Sequence, residues 1–181
     1  RNRVPKVGEM VYSDVKGPLQ VSTKGYVYLV GFIDYASRYV TVYPMKVKSE
    51  TTSCFKRFIH TMIKQMSLRG RCTVFTDNGT EYKCADFSAL CAAYDIDHEY
   101  SPPYMPESNA VIERVWRSLS CRATAMMERY LLDFQMYWPF AYMYAAQLYN
   151  LTVHSATKHA PELMVWGERH LNVWQCYEFG Q

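Results

Sequence analysis

Short runs of apolar and β-branched residues dominate the first part of the chain. Residues 9–15, 26–35 and 39–45 have this composition, which is typical of strands. Gly17-Pro18 and Ala36-Ser37 separate the runs, and both pairs favour turns. We therefore predict three strands that are joined as an antiparallel meander.

The hydrophobic period changes after residue 48. Large apolar residues recur at helical spacing from Ser49 to Arg69-Gly70, which predicts one amphipathic helix. Shorter runs predict strands at 72–77 and 96–100, with a short helix at 86–95 between them. This order of elements indicates an α/β fold with a mixed five-stranded sheet flanked by helices.

Helices are predicted for most of the remaining chain. Residues 101–108 contain three prolines, so we expect a loop there. One helix follows to about Tyr130, another occupies 134–151, and a last short one lies at 160–168. The stretch 134–157 has no Asp, Glu, Lys or Arg. Because proline, glutamine and tyrosine residues interrupt it, we interpret it as a core helix that faces a partner chain rather than as a membrane span.

Composition indicates a globular domain. A chain of 181 residues with 49% hydrophobic and 20% charged residues suits one domain with a full core. The net charge of +3 gives no polybasic tail, yet a local basic groove is enough for nucleic acid. No Cys-x-x-Cys or zinc-type His pair occurs, so we expect structural histidines and free thiols, buried or half-buried in a reducing compartment. The residues concerned are Cys54, Cys72, Cys84, Cys91, Cys121 and Cys176, with His60, His98, His154, His159 and His170.

Two aspartates stand at the tips of predicted strands. Asp14 comes near the end of the first strand, and Asp77 ends "TVFTD", directly before Asn78-Gly79. A strand tip fixes the position of a ligand while leaving it open to solvent. Each aspartate also has a structural alternative, because Asp77 suits an Asx turn and Asp14 suits a cap of the following "KGPL" turn.

Glu113 lies on the helix that follows the proline-rich loop. At about 100° per residue, the apolar residues of this helix share one wide face. Glu113 falls just past the polar border of that face, near Asn109 and Arg117, so its carboxylate can lean over the sheet edge. The alternative is a salt bridge to Arg117, which would be worth only a few tenths of a kcal/mol.

Three convergent carboxylates would form a ligand set for hard divalent cations. Mg²⁺ takes oxygen ligands and keeps several waters. Two such ions about 3.5–4 Å apart support in-line displacement at phosphorus. No Ser-His-Asp arrangement, phosphate-binding glycine loop or zinc motif in the sequence competes with this interpretation.

The chain resembles the catalytic core of retroviral-type integrases, in particular those of copia-type LTR retrotransposons. The resemblance runs from about residue 9 to 170 and rests on "SDVKGPL", "GFIDYASRYVTVYPMKVKSE", "FTDNGTEY", "HEYSPPYMPESNAVIERVWRSL" and "PELMVWG", in that order. These segments carry Asp14, Asp77 and Glu113. The 35 residues between Asp77 and Glu113 match the separation that marks that family.

The resemblance implies an RNase H-like fold and a Mg²⁺-dependent DNA integrase. Asp14, Asp77 and Glu113 would be the catalytic residues and the ligands of two Mg²⁺ or Mn²⁺ ions. The implied reactions are 3′-end processing of element DNA by water and strand transfer of the 3′-hydroxyl to target DNA. The implied partners are element and target DNA and further integrase subunits, as a homodimer or higher multimer without membrane contact. The expected location is the nucleus of a eukaryotic host, after a cytoplasmic particle stage.

The same resemblance divides the chain and leaves two other functions open. Residues 9–170 correspond to the catalytic core, 1–8 to a linker from an absent upstream domain, and 171–181 to a C-terminal extension. A domesticated core would bind or assemble without catalysis, and an RNase H-like nuclease would lack strand transfer. Clustered carboxylates argue against the first, because they repel one another unless a cation offsets them. The 35-residue spacing argues against the second.

Four residues near the carboxylates are candidate DNA contacts. Lys83, Tyr104, Asn109 and Arg117 are suited to touch a phosphate or a base. The alternative for surface Lys and Arg is simple solvation. Binding led by phosphate contacts should be weak in this chain and strongly salt-dependent.

Ala110 is a departure from the pattern of the resembling family, which usually has glycine there. Alanine favours helix and removes backbone freedom, so we expect a stiffer helix start and a slower, but not abolished, strand transfer. An Ala110→Gly variant should be faster in a strand-transfer assay. An unchanged rate would contradict the role assigned to this residue.

Overall fold

Five strands form one mixed sheet, as predicted. The computed structural model describes residues 5–66, 72–101, 106–130 and 133–167. The strands are β1 (Met10–Lys16), β2 (Tyr28–Asp34), β3 (Val40–Met45), β4 (Cys72–Thr76) and β5 (Ile96–Tyr100). They lie in the order β3-β2-β1-β4-β5. The pairs β1–β2 and β2–β3 are antiparallel, whereas β1–β4 and β4–β5 are parallel.

The predicted helices are also present, with one difference at a boundary. They are α1 (Thr51–Met66), α2 (Ala85–Ala93), α3 (Pro106–Arg129), α4 (Phe134–Leu151) and α5 (Pro161–Trp166). The prediction of loop over 101–108 is wrong at its end, because α3 already begins at Pro106. Proline suits the first position of a helix, where its fixed φ is helical and its missing N–H is not needed. Residues 102–105 and the predicted end of the first helix at Arg69-Gly70 lie outside the described residues.

Helices cover both faces of the sheet, and each face has its own apolar core. Successive side chains of a strand point to opposite faces. In β1, Tyr12 packs toward α3 and α4, whereas Val11 packs toward α1 and α2. Both faces of the central strands are therefore buried, which explains the nearly continuous apolar run in β2.

The uncharged helix α4 is a core helix. Trp138, Ala141 and Ala145 are fully buried, and the Trp138 indole N–H donates to the Gln20 carbonyl at 2.8 Å. None of the helices among the described residues has the length and apolarity needed to cross a membrane. The exposed side of α4 carries large apolar side chains, namely Met136, Tyr137, Phe140 and Met143.

The prediction for the cysteines is confirmed at four positions and wrong at one. Cys54, Cys72 and Cys91 are buried and Cys84 is half-buried, all as free thiols. Burial raises the pKa of Cys54 and Cys91 to about 11 and that of Cys72 to about 12, so these thiols stay protonated. Cys121 is exposed, because it lies on the side of α3 that faces away from the sheet. Cys176 lies outside the described residues.

Three histidines make the hydrogen bonds expected of structural residues. His60 Nε2 is 2.8 Å from the Tyr94 hydroxyl. His98 Nε2 is 2.9 Å from Thr76 Oγ1, and His154 Nε2 is 3.0 Å from the Tyr149 carbonyl. Burial lowers the pKa of His98 and of His154, which favours their neutral forms. His159 is exposed, and His170 lies outside the described residues.

Asn150 joins α4 to the edge strand β3. Its side-chain oxygen accepts from the Val40 backbone N–H at 2.9 Å, and its side-chain nitrogen donates to the Val40 carbonyl at 2.8 Å. Both residues are buried. The amide of Asn150 therefore replaces a neighbouring strand at this point of the sheet, and a buried backbone pair depends on it.

Replacing Asn150 with alanine should destabilise the fold. The Val40 N–H and C=O would both lose their partner, and each unsatisfied buried group costs about 1–3 kcal/mol. We expect Asn150→Ala to lower the free energy of unfolding by about 2–4 kcal/mol in urea denaturation. Gln147→Ala removes an exposed amide from the same helix and should change it by less than about 0.5 kcal/mol. Equal losses in the two variants would contradict this role.

Candidate functional site

The register of β1 and β4 brings Asp14 and Asp77 to the same place. Tyr12 of β1 is paired with Phe75 of the parallel strand β4. Each aspartate follows two residues after a member of this pair. Side chains two positions apart share a face, so both carboxylates lie at the carboxyl edge of the strands, on the face that α3 covers.

Glu113 reaches the same place from α3. Ile112 and Val115 bury this helix against the sheet, and Glu113 stays exposed beside them. Asp14, Asp77 and Glu113 line one cavity of about 140 Å³, which we call the acidic cavity. Its other lining residues are Tyr12, Ser13, Phe75, Ser101 and Ile112.

The acidic cavity holds a carboxylate whose charge is disfavoured. Burial raises the pKa of Asp14, and the negative charge of Asp77 raises it further. The Trp116 indole, the Val15 backbone N–H and the charge of Lys16 act in the opposite direction. A cation bound between the carboxylates would remove the repulsion and favour the ionised form.

The donor set fits a hard divalent cation in its chemistry. All three charged groups are carboxylates, the ligands that Mg²⁺ prefers. Among the described residues, no three Asp, Glu, His or Cys side chains lie close enough together to hold an ion. Binding therefore requires the carboxylates to draw together, and the side chain of Glu113 is exposed and can rotate toward the two aspartates.

Asp77 also forms the Asx turn that its sequence context predicts. Its Oδ1 accepts from the Gly79 backbone N–H at 2.9 Å, which fixes the orientation of the carboxylate. A Cβ atom at position 79 would lie 2.9 Å from this oxygen and 2.8 Å from the Glu81 carboxyl, so a side chain here would displace the two carboxylates. Glu81 is buried and forms an ion pair with Lys48 at 3.1 Å. The Asx turn and a ligand role of Asp77 are therefore compatible, because the turn orients the same carboxylate that lines the acidic cavity.

Trp116 packs beside Asp14. The sequence indicated only that Trp116 extends the apolar face of α3, not that it has a role at the site. Its indole lies on Gly31, where a Cβ atom would be 2.8 Å from Trp116 Cζ2, and Gly31 is the strand partner of Asp14. The indole Nε1 is buried without a fully formed hydrogen bond in the described structure, yet it faces Asp14 closely enough to lower that pKa. The Lys16 ammonium lies 5.9 Å from the ring centroid.

Tyr82 supports β1 from the opposite face of the sheet. Its hydroxyl is 2.7 Å from Ser13 Oγ, and its ring is fully buried. Ser13 directly precedes Asp14, so this contact holds the strand tip between two aromatic side chains, Tyr82 below and Trp116 above. The sequence segment "DNGTEY" includes Tyr82, but nothing in the sequence indicated that its hydroxyl would contact Ser13.

Two of the candidate DNA contacts, Lys83 and Arg117, have described side chains, and neither lines the acidic cavity. Lys83 is exposed, with its ammonium 5.6 Å from the ring centroid of Tyr100. Arg117 lines a different cavity on another side of α3, which also argues against its predicted salt bridge to Glu113. Tyr104 and the side chain of Asn109 lie outside the described residues. Their contacts with DNA stay predictions.

The comparison with protein families and curated sequences points to one group of proteins. The model of the family described as "Integrase core domain" matches residues 4–106. A retrovirus-related Pol polyprotein from transposon TNT 1-94 of Nicotiana tabacum is 32% identical over 177 residues, which cover 94% of this chain and 13% of that protein. The corresponding polyprotein from transposon RE1 of Arabidopsis thaliana is 31% identical over 142 residues, which cover 78% and 9%. The chain thus spans only about a tenth of the length of these relatives.

Solved structures of similar fold are retroviral integrase cores. The HTLV-2 integrase catalytic core domain, in complex with magnesium in a trimeric form, has a TM-score of 0.68 and 20% identity, covering 90% of this chain and 99% of that one. A chain of the simian T-cell lymphotropic virus intasome in complex with the PP2A regulatory subunit B56 gamma has a TM-score of 0.71 and 21% identity, covering 90% and 56%. These likenesses confirm the RNase H-like fold that the sequence resemblance implied.

Removing the charge of Asp14 should stabilise the metal-free protein. Because folding raises the pKa of this carboxyl, its ionised form is disfavoured in the folded state. This penalty is absent below the ordinary Asp range, grows as the pH rises through the raised pKa, and is complete at neutral pH. We expect Asp14→Asn to melt above the wild type in EDTA at pH 7, by about 2–4 °C for each kcal/mol of penalty removed.

A matched control and a metal titration complete this test. Asp86→Asn removes an exposed carboxylate from the first turn of α2 and should lower the melting temperature slightly, by the loss of about 0.3–1 kcal/mol of helix-dipole stabilisation, rather than raise it. Mg²⁺ at about ten times its Kd should stabilise the wild type by about 1.4 kcal/mol and Asp14→Asn by much less. A lower melting temperature of Asp14→Asn in EDTA would contradict the electrostatic description of the cavity.

Proposed function

The chain belongs to the integrase core domain family, and on that premise we propose that it is a divalent-metal-dependent polynucleotidyl transferase that inserts retrotransposon DNA into target DNA. The observation that carries the proposal is the convergence of Asp14, Asp77 and Glu113 on one cavity. These residues come from two strands and a helix that are up to 99 positions apart in the sequence. The fold brings together the ligand set that phosphoryl transfer requires.

In this proposal the three carboxylates are the metal ligands and the catalytic residues. Asp14, Asp77 and Glu113 hold two Mg²⁺ or Mn²⁺ ions, which when bound supply activation of the attacking oxygen and stabilisation of the leaving oxygen. Asp14 is the fixed member, because β1 and the Trp116 indole restrain it. Asp77 is oriented by its turn, and Glu113 approaches by rotation of its exposed side chain.

The proposed chemistry consists of two displacements at phosphorus. In 3′-end processing, water attacks a phosphodiester of the element DNA, one P–O bond breaks, and a 3′-hydroxyl is released. In strand transfer, that 3′-hydroxyl attacks a target phosphodiester, a new P–O bond forms, and the target's own 3′-oxygen leaves and takes up a proton. Both steps need the same in-line arrangement, so one set of carboxylates serves both.

The electrostatics of the cavity favour catalysis over a binding-only role. A buried Asp14 beside a second carboxylate lowers stability unless a cation is bound. A core kept only for assembly would gain stability from losing either charge. The intact set therefore supports the enzyme, and the binding-only core becomes the outcome to be tested against it.

We also propose that the chain acts as a multimer on DNA. The HTLV-2 neighbour is described as trimeric and the simian virus neighbour as part of an intasome. In this chain, α4 presents a row of exposed apolar side chains at helical spacing, which suits a contact with a second copy. Sedimentation would show the mass of the particle. The row on α4 consists of Met136 (39% exposed), Tyr137 (37%), Phe140 (40%) and Met143 (45%).

Element and target DNA are the proposed partners, in the nucleus if the host is eukaryotic.

Removing one carboxylate should abolish strand transfer. Asp77→Asn keeps the shape of the side chain and an acceptor for the Gly79 N–H, but it removes the charge that a metal ion needs. We expect the rate on a branched disintegration substrate to fall at least about a hundredfold with Mg²⁺ or Mn²⁺, because several kcal/mol of transition-state stabilisation are lost. Glu113→Gln should behave in the same way.

The matched control is Asp86→Asn, which removes an exposed carboxylate outside the cavity and should keep full activity. EDTA should stop the wild type, and added Mn²⁺ should restore it. Equal activity of the wild type and Asp77→Asn would refute the catalytic role. Normal DNA binding by an inactive wild type would favour the binding-only core.

A further inference from the structure

A second cavity lies on the other side of α3, and it is strongly basic. It has a volume of about 600 Å³, and its lining includes four arginines and a histidine. No carboxylate belongs to its lining among the described residues. We call it the basic cavity. Its charged and titratable members are Arg38, Arg114, Arg117, Arg122 and His154.

Arg38 is held in the basic cavity by an unfavourable backbone conformation. Its φ is 67°, in the left-handed region that costs a non-glycine residue about 1–2 kcal/mol. A turn fixes it there, because the Arg38 N–H donates to the Asp34 carbonyl at 2.9 Å. The guanidinium lies 4.5 Å from the ring centroid of Tyr35. Its Nη1 is buried and has no hydrogen-bond partner in the described structure, so one donor of this cavity-lining residue is left without an acceptor.

The carboxylate closest to this arginine is already engaged elsewhere. Asp34 is fully buried, and its Oδ1 accepts from the Gly8 N–H at 2.7 Å. Its Oδ2 accepts from the Ser37 N–H at 2.7 Å and from the Ser37 hydroxyl at 2.6 Å. These bonds occupy both carboxylate oxygens of Asp34, which interacts with Arg38 through its charge but does not line the basic cavity.

The far wall of the basic cavity adds to this positive potential. Arg122 Nη1 donates to Thr152 Oγ1 at 3.4 Å, a neutral partner that leaves its charge uncompensated. Burial lowers the pKa of His154, and the charges of Arg122 and Arg38 lower it further. The same two arginines and Arg114 act on Tyr149, whose pKa burial raises. Charges from three parts of the chain thus converge on one space.

We propose that the basic cavity binds backbone phosphates of the DNA on which the acidic cavity acts. Guanidinium groups suit phosphate because they donate two parallel hydrogen bonds. Arg114 and Arg122 are eight positions apart on α3, about 12 Å, which corresponds to about three to four phosphates at 3.4 Å per nucleotide. A polyanion fills such a row better than one free phosphate does.

The position of the basic cavity on α3 connects it to the proposed reaction. Glu113 lines the acidic cavity and Arg114 lines the basic one, and consecutive helix residues point about 100° apart. A strand bound along Arg114 and Arg122 would therefore pass beside the carboxylates without entering between them. The inference rests on the proposed function for the identity of the DNA, but phosphate binding itself needs no catalysis.

The test measures duplex DNA binding by fluorescence anisotropy in EDTA, over a range of salt concentrations. We expect Arg114→Gln and Arg122→Gln each to weaken binding about tenfold, as loss of a charged hydrogen bond does. The slope of log K against log[salt] should fall by about 0.9 for each residue. Arg114→Lys should keep the slope, because it keeps the charge.

The matched control is Arg57→Gln, an exposed arginine on α1, on the opposite face of the sheet. It should leave both affinity and slope unchanged. An equal loss in this control, or unchanged DNA binding in the Arg114→Gln, Arg122→Gln double variant with a wild-type melting temperature, would overturn the proposal.

This binding test is independent of the catalytic one. Because EDTA removes metal ions, an inactive acidic cavity cannot lower the affinity. A normal salt slope in an inactive protein would refute the proposed reaction and leave the phosphate site standing. A normal strand-transfer rate together with unchanged DNA binding in the double variant would refute the phosphate site and leave the proposed reaction standing.

Discussion

The parallel pairing of β1 with β4 is the constraint on which the site depends. With Tyr12 opposite Phe75, the two aspartates follow at equal distance, on one face and at one edge of the sheet. A shift of this register by one residue would turn one carboxylate to the opposite face. The pairing also imposes an electrostatic penalty on Asp14. The sheet therefore holds two like charges together by backbone hydrogen bonds, and a cation is the natural counterpart.

The helix α3 organises the molecule around this pair. Its buried side chains hold it on the sheet, and the Trp116 indole fits onto Gly31, where any side chain would obstruct it. The same helix has a cavity of opposite charge on each of two sides. Glu113 faces the acidic one and Arg114 faces the basic one. In the two proposals, neighbouring residues on one helix would thus divide the tasks of holding a cation and holding a polyanion.

Much of this arrangement could be predicted from local sequence, because it follows local rules. The strands and helices follow from hydrophobic period, and Asp14, Asp77 and Glu113 are marked by strand tips, a polar border and their spacing. The start of α3 at Pro106 was missed because proline disrupts a helix interior but suits the first helical position. The contact of Trp116 with Gly31 and the grouping of Arg38 with Arg122 were not predictable, since both join distant segments through packing that no period encodes. Cys121 was misjudged for a similar reason, because its exposure depends on which side of α3 the neighbouring helix leaves open.

The amide of Asn150 has a consequence for how copies of this domain meet. An outer strand with unpaired backbone groups is a template for any extended chain, including the same strand of a second molecule. At Val40 that template is already satisfied by a side chain from α4. Assembly by a continuous intermolecular sheet is thereby blocked on this side. The proposed contact between copies through α4 leaves this edge undisturbed, and such a helical contact can separate and rejoin without exposing any backbone.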